Sequence, residues 1–187
     1  MEITYLGHAA FRIKGKTATV VTDPYASAAA GLKFPKHIAA DIVTVSEDHP
    51  NHNAIHQIEG TAYVVNGPGE YEIKGVGVIG RTIEKNTMYR IEIDGVSIVH
   101  LGDVHRTLSS EEVDTLNGVD ILMIPVSGSA VPLINEIEPS IVIPMRYSRE
   151  DLAAFLKEIG KEDVTPQPKL IVTKDKLPEQ MQVVILE

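Results

Sequence analysis

The sequence predicts an α/β fold, and three observations carry that reading. A chain of 187 residues, 43% of them hydrophobic, suits one compact domain expected to span residues 1–187, since domains run to roughly 150 residues. Up to Gly102, apolar and polar residues alternate with the two-residue period of half-buried strands. Beyond Gly102, short apolar runs alternate with helical patterns.

Taken in order, Ile3 and Tyr5 alternate with Glu2 and Thr4, and Phe11 and Ile13 with Arg12 and Lys14. Gly15-Lys16 then turns the chain into TATVVTDP, completing a β meander. The small residues from Tyr25 to Gly31 read as a loop. A short apolar strand, Ile42 to Val45, runs straight into SEDHPNHN, Ser46 to Asn53. Polar groups placed directly after a buried strand are where α/β folds hold ligands, so this knot is the first site candidate. From Thr61 strands resume as AYVV, EYEIKG and VGVIG, and MYRIEID and VSIVHLG flank Asp94-Gly95, a type I′ hairpin signal. Ser109 and Glu112 form a capping box before a helix reaching about Leu116, and Val119 to Pro125 is a buried strand. A helical piece around Val131 to Ile137 precedes a second buried strand, Ile141 to Pro144. Ser148 and Asp151 cap a helix with the stripe Leu152, Phe155, Leu156 and Ile159, stopped by Gly160. The tail segments PKLIVTKD and MQVVILE return to strands.

Composition narrows the chemistry. Zero Cys excludes disulfides, thiolate nucleophiles and Cys-held metal, so any metal must sit on carboxylates and some of the seven His. With 17 Lys+Arg against 26 Asp+Glu, the formal charge is −9 and no basic cluster forms; no nucleic-acid partner is expected. No apolar run approaches the ~18 residues of a membrane span and the first residues lack a leader pattern, so a cytoplasmic protein without a membrane partner is expected. The expected partner is a small molecule or a protein of unspecified kind. There is no Gly-x-Ser-x-Gly elbow, Gly-x-Gly-x-x-Gly turn or P-loop.

Glu47, His49, Asn51 and His52 share one loop, at the spacing of a metal-binding His-x-His-x-Asp-His turn, where alternate side chains of an irregular turn can point into one cavity. Alone, two His three apart in a loop are more often solvated surface residues than ligands. The order of LGHAAFRI, VVTDP, TVSEDHPNHN, NGPGEYEIKGV, IVHLGDV, VDILMIPV and IVIPMRY, however, resembles the metallo-β-lactamase superfamily from Met1 to Tyr147. The likeness is to its small metal-dependent-hydrolase-like branch, similar to ascorbate-phosphate lactonase. That resemblance implies a four-layer αβ/βα sandwich with a metal site at one edge of the sheets.

Carried over by position, the resemblance implies that His49 and His52 match metal ligands and Asp103 matches a bridging carboxylate. Glu47 and Asn51 stand where the pattern has His and Asp, and Arg146 in PMRY where it has His. After Gly80 only RTIEKN follows, with no His, so one ligand loop is expected to be shortened and the pocket smaller or more open on that side. Asp23 would orient a ligand imidazole, or simply start an Asp-Pro turn. His8 belongs to the same pocket, and His105 and His56 are spare donors by sequence. His37 is expected in solvent and His100 packed in a strand.

A permanently charged guanidinium where a metal would sit, beside a neutral Asn51, suggests that an ion pair between Arg146 and Asp103 or Glu47 has replaced the metals. On this reading no cofactor is bound, Asn51, Arg146 and Asp23 keep only vestigial or altered catalytic roles, and the protein is a catalytically impaired binding or structural module. The alternative is an active hydrolase of an ester, lactone or phosphoester, with one divalent metal (zinc, manganese or iron) on Glu47, His49 and Asp103 and with Arg146 steadying an anion.

Overall fold

A computed structural model describes all residues, Met1–Glu187. The chain first lays down β1 (Glu2–Gly7), β2 (Ala10–Lys14) and β3 (Thr19–Thr22), then a single helical turn α1 (Ser27–Ala30), β4 (Ile38–Ala39), β5 (Ile42–Thr44), β6 (Ile58–Glu59) and β7 (Tyr63–Val65). The expected meander is present: β1, β2 and β3 are antiparallel neighbours, with Ile3 opposite Ile13 and Phe11 opposite Thr22. β3, β5 and β7 then continue the sheet in parallel. One departure is α1, which replaces the loop expected from Tyr25 to Gly31. Three consecutive alanines favour helix, and Gly31 ends it at φ +67°.

The second sheet comprises β8 (Gly69–Ile73), β9 (Val76–Ile83), β10 (Asn86–Ile93), β11 (Val96–His100), β12 (Ile121–Pro125), β13 (Ile141–Met145) and β15 (Gln182–Val183), while β14 (Leu170–Ile171) returns to pair with β1. Helices α2 (Ser110–Asp114), α3 (Ala130–Ile137) and α4 (Arg149–Glu158) lie between the later strands. Both expected capping boxes form, Ser109 with Glu112 and Ser148 with Asp151. β8 to β11 run antiparallel and β11, β12, β13 and β15 parallel, so each sheet joins a meander to a parallel half.

Alternation explains the layering. Ile3, Phe11, Ile13, Val20, Ile42, Val78, Ile91, Ile98, Ile121 and Ile143 meet between the sheets. Fully buried β12 and β13 also carry residues to the other face, where Leu122, Val142 and Leu101 pack on Leu116, Leu133 and Phe155 under the helices. On the outer face of the first sheet, Val21 packs on Tyr25 and Phe34, which belong mostly to loop. The architecture is the four-layer αβ/βα sandwich, with one outer layer thinned to a helical turn and connecting chain. No helix is long and apolar enough to cross a membrane.

Candidate metal centre

The site gathers at the carboxyl ends of the parallel strands, where an α/β sheet leaves a crevice. Asp23 directly follows β3, the Ser46 to Asn53 loop follows β5, Asp103 follows β11 and Arg146 follows β13; His8 comes from the β1–β2 turn. The first sheet and the second therefore each supply one wall.

Asp23 is fully buried and its carboxylate is surrounded. Ser46 donates to it from the backbone N–H at 2.7 Å and from Oγ at 2.5 Å, and His52 Nδ1 lies at 2.8 Å. Burial alone would raise the Asp23 pKa, but the neighbouring His100 and His52 and the Ser46 hydroxyl outweigh it and hold the carboxyl below its ordinary value. Because Nδ1 of buried His52 donates to Asp23, its Nε2 lone pair is free. Asp23 is thus the orienting carboxylate rather than only the start of an Asp-Pro turn.

Tight turns decide which other residues face inward. His49 N–H donates to Glu47 O at 2.8 Å, and the His52 and Asn53 N–H groups both donate to His49 O, at 2.8 and 3.0 Å. This winding sends His52 inward and His49 out to solvent, where its Nδ1 accepts from Asn51 N–H at 3.3 Å. Across the crevice, Gly102 adopts φ +61°, and a Cβ there would overlap Asn86 and Ser46. Only glycine lets the β11 loop approach so closely. Buried Asn86 then fixes that loop, donating to Leu101 O at 3.0 Å and accepting from Asp103 N–H at 2.8 Å.

The result is one group of three donors. Ligand atoms of Glu47, His52 and Asp103 all lie within 4.8 Å of one another. His49, expected as a ligand beside Glu47 and Asp103, stands outside this group, and His52 takes its place. His56 is exposed on a 3₁₀ turn, His37 is in solvent beside Glu59, and His100 is buried with Nε2 at 2.8 Å from Ala9 O.

Arg146 turns inward and ion-pairs with Asp103, as the charge argument requires. Its backbone φ is +55°, in the left-handed region that bulky residues avoid, and its N–H is tied to His8 O at 3.1 Å. Burial lowers the Arg146 pKa, opposed by nearby Asp23 and Glu47. His8 is held neutral, its pKa pushed down to about 4 by burial and then by Arg146 and His52. Its ring lies 5.4 Å from that of His52 and its buried Nε2 has no hydrogen-bond partner. Asn51 Oδ1 is likewise buried and unpartnered.

Outside the donors opens a cleft of about 520 Å³ lined by Glu47, Lys85, Asn86, Asp103, His105 and Arg106, among others. The shortened segment after Gly80 forms its edge. Ile83 pairs with Asn86, so Glu84 and Lys85 alone make the turn between β9 and β10.

These residues fit one divalent cation. One imidazole nitrogen and two carboxylates are a reasonable donor set for zinc, manganese or iron. The carboxylates of Asp23, Glu47 and Asp103 lie around a single guanidinium, an excess of negative charge that a divalent ion would balance. A second ion does not fit, because Asn51 offers no charge and Arg146 brings a positive one. The expected ion pair between Arg146 and Asp103 forms, and the donor set beside it does not support the further expectation that no metal is held. Arg146 pairs with Asp103 at Oδ1, and the other oxygen of that carboxylate remains.

Fold and site together define a metallo-β-lactamase-type sandwich whose crevice carries a candidate group of metal ligands. The chain belongs to the beta-lactamase superfamily domain family, whose model matches residues 2–146. A relative from Thermococcus onnurineus, named a metal-dependent hydrolase, is 27% identical over 93% of this chain and 96% of its own; one from Pyrococcus furiosus with the same designation is 26% identical over the same shares. A solved structure from Thermotoga maritima, described as a proposed zinc-dependent hydrolase of the metallo-β-lactamase superfamily, superposes with a TM-score of 0.83 at 28% identity, covering 100% of this chain and 99% of that one. At 13% identity, a possible metal-dependent hydrolase from Veillonella parvula shares the fold, with a TM-score of 0.69 over 92% of this chain and 99% of its own.

Sequence reasoning missed Ser46 and Asn86. Ser46 opens the polar knot and was within its reach. Asn86 reads as an ordinary strand start, and nothing in the sequence pattern marks it as the brace of a loop fifteen residues further on.

Proposed function

We propose that the protein is a hydrolase of an ester, lactone or phosphoester, dependent on one divalent metal held by Glu47, His52 and Asp103. The observation that carries this reading is the convergence of those three donors, with His52 locked by Asp23 so that Nε2 is presented to the other two. The relatives named metal-dependent hydrolases support it. When bound, a divalent ion there would supply Lewis acidity and lower the pKa of an attacking water to about 7.

The chain's own groups divide the remaining work. Asp23 fixes the His52 tautomer and ring plane. Arg146 holds Asp103 through one oxygen, and its other nitrogens make no hydrogen bond within the protein, so they are available to steady negative charge developing on a substrate oxygen. Asn51, in the loop that carries Glu47 and His52, supplies a buried, unpartnered neutral amide oxygen. The open hairpin edge admits substrate to the Glu47–Asp103 side of the crevice.

The test is metal analysis of protein purified without chelator, joined to a panel of esters, lactones and phosphoesters. Expected are close to one equivalent of zinc, manganese or iron and a hydrolysis that chelation abolishes and the same metal restores. Protein that neither carries nor takes up a divalent metal would sink the reading.

A further inference from the structure

We propose that His105 is a fourth donor to the metal, supplying the second imidazole that the β5 loop does not. The inference rests on the single-metal reading and goes beyond its three donors. Two observations point to it. His105 lines the same cleft as Glu47 and Asp103. Its Nε2 lies 2.5 Å from Oδ1 of Asp103, a contact that addresses a donor carboxylate directly.

The backbone around His105 is pinned while its ring is not. Asp103 N–H is held by Asn86, Ser129 Oγ donates to His105 O at 3.2 Å, and Arg106 is clamped by Glu84 and Glu112. The His105 side chain is 48% exposed and its ring has no hydrogen-bond partner other than Asp103. Rotation about its side-chain bonds therefore moves the ring around a fixed point on the cleft wall. In that contact the Nε2–H donates to the carboxylate, so a cation on Asp103 would displace this proton, to Nδ1 or to solvent, and free the Nε2 lone pair for the ion.

The alternatives within the pocket are poorer donors. His49 faces solvent, and His8, though neutral and unpartnered at Nε2, adjoins the Arg146 guanidinium, which repels a cation. With His105 the set becomes two nitrogens and two oxygens, which favours zinc or cobalt over magnesium or manganese.

Cobalt(II) is the probe, since its visible absorption reports ligand number and type without any substrate. Wild type and His105→Ala are titrated with Co²⁺ and with Zn²⁺ in competition, and the metal-free variant is checked for an unchanged circular dichroism spectrum. Expected are weaker Co²⁺ binding in the variant by at least roughly 10–100-fold, altered absorption bands, and recovery of the wild-type bands when free imidazole is added. A variant that binds Co²⁺ with the same affinity and bands overturns the role of His105 and leaves the three-donor site standing. Wild type that takes up no Co²⁺ or Zn²⁺ overturns the single-metal reading itself.

Discussion

Asp23 determines which nitrogen of His52 carries the proton, and that choice is open to test by one atom. In Asp23→Asn an amide replaces the carboxylate, and its NH₂ can donate to Nδ1, which moves the imidazole proton to Nε2, into the metal seat. Metal affinity should fall roughly 10–100-fold, read by competition with a chromophoric chelator, and Asp23→Ala should be no better. His8 gives the acid limb of stability. Its folded pKa is about 4, against an ordinary value of 6.5, so below pH 6.5 the unfolded chain binds the proton first and stability falls until about pH 4, then levels. Urea midpoints measured across that window should decline with acid in the wild type and decline less in His8→Gln. Residue identity alone suggested the Arg146–Asp103 pair, because a buried guanidinium must find an anion. It could not have placed His49, whose matching identity says nothing of the successive turns that face it outward.

At the scale of elements, helix starts were the most legible features, since a capping box is a local contract between two side chains and two N–H groups. Glu112 shows what such a box does near a site. It caps α2 and forks onto Arg106 at 2.9 and 2.7 Å, the residue directly after His105 in the loop that also carries Asp103. Arg106 holds the Glu112 carboxyl down to about 2. Glu112→Ala should cost about 1 kcal/mol, mostly through the lost cap, because the exposed pair contributes little. The check is a shifted urea midpoint at unchanged slope. The two-residue strands β4 and β6 were not legible, since only the parallel pairing of Ile38 with Ile58 defines them. Likewise Tyr25 and Phe34 cover the first sheet from loops, where no periodicity announces burial.

For the whole molecule, the two sheets contribute to the centre in halves. Asp23, Glu47 and His52 follow strands of the first sheet, and Asp103 and Arg146 follow strands of the second. A metal on Glu47, His52 and Asp103, as proposed, would cross-link the sandwich, and its removal would restore the repulsion among three carboxylates in a chain already at −9. At a free metal concentration 100 times the dissociation constant, linkage stabilises the fold by about 2.7 kcal/mol. For a chain of this size that corresponds to a Tm higher by about 5–10 °C. Calorimetry before and after chelation should show that drop, with recovery on adding metal back; an unchanged Tm would mean that the donors are not bridged. Alternating strands followed by alternating β and α segments made an α/β fold legible, and the resemblance of the ordered motifs to a known family implied the sandwich. The meeting of its halves at the donors depends on Gly102 and Asn86, whose roles exist only once the sheets are packed.

The turn at Glu84-Lys85 carries a consequence for exchange kinetics. Two residues pinned between paired Ile83 and Asn86 have no slack with which to fold over the cleft. Ions and small chelators therefore reach the centre without waiting for this edge to open. Loss of bound metal should be governed by ligand substitution at the ion, so the stripping rate should rise in proportion to chelator concentration instead of saturating at the frequency of a loop motion. Stopped-flow measurement of Co²⁺ release over a wide range of chelator would separate the two behaviours, a plateau independent of chelator identity counting against the open edge.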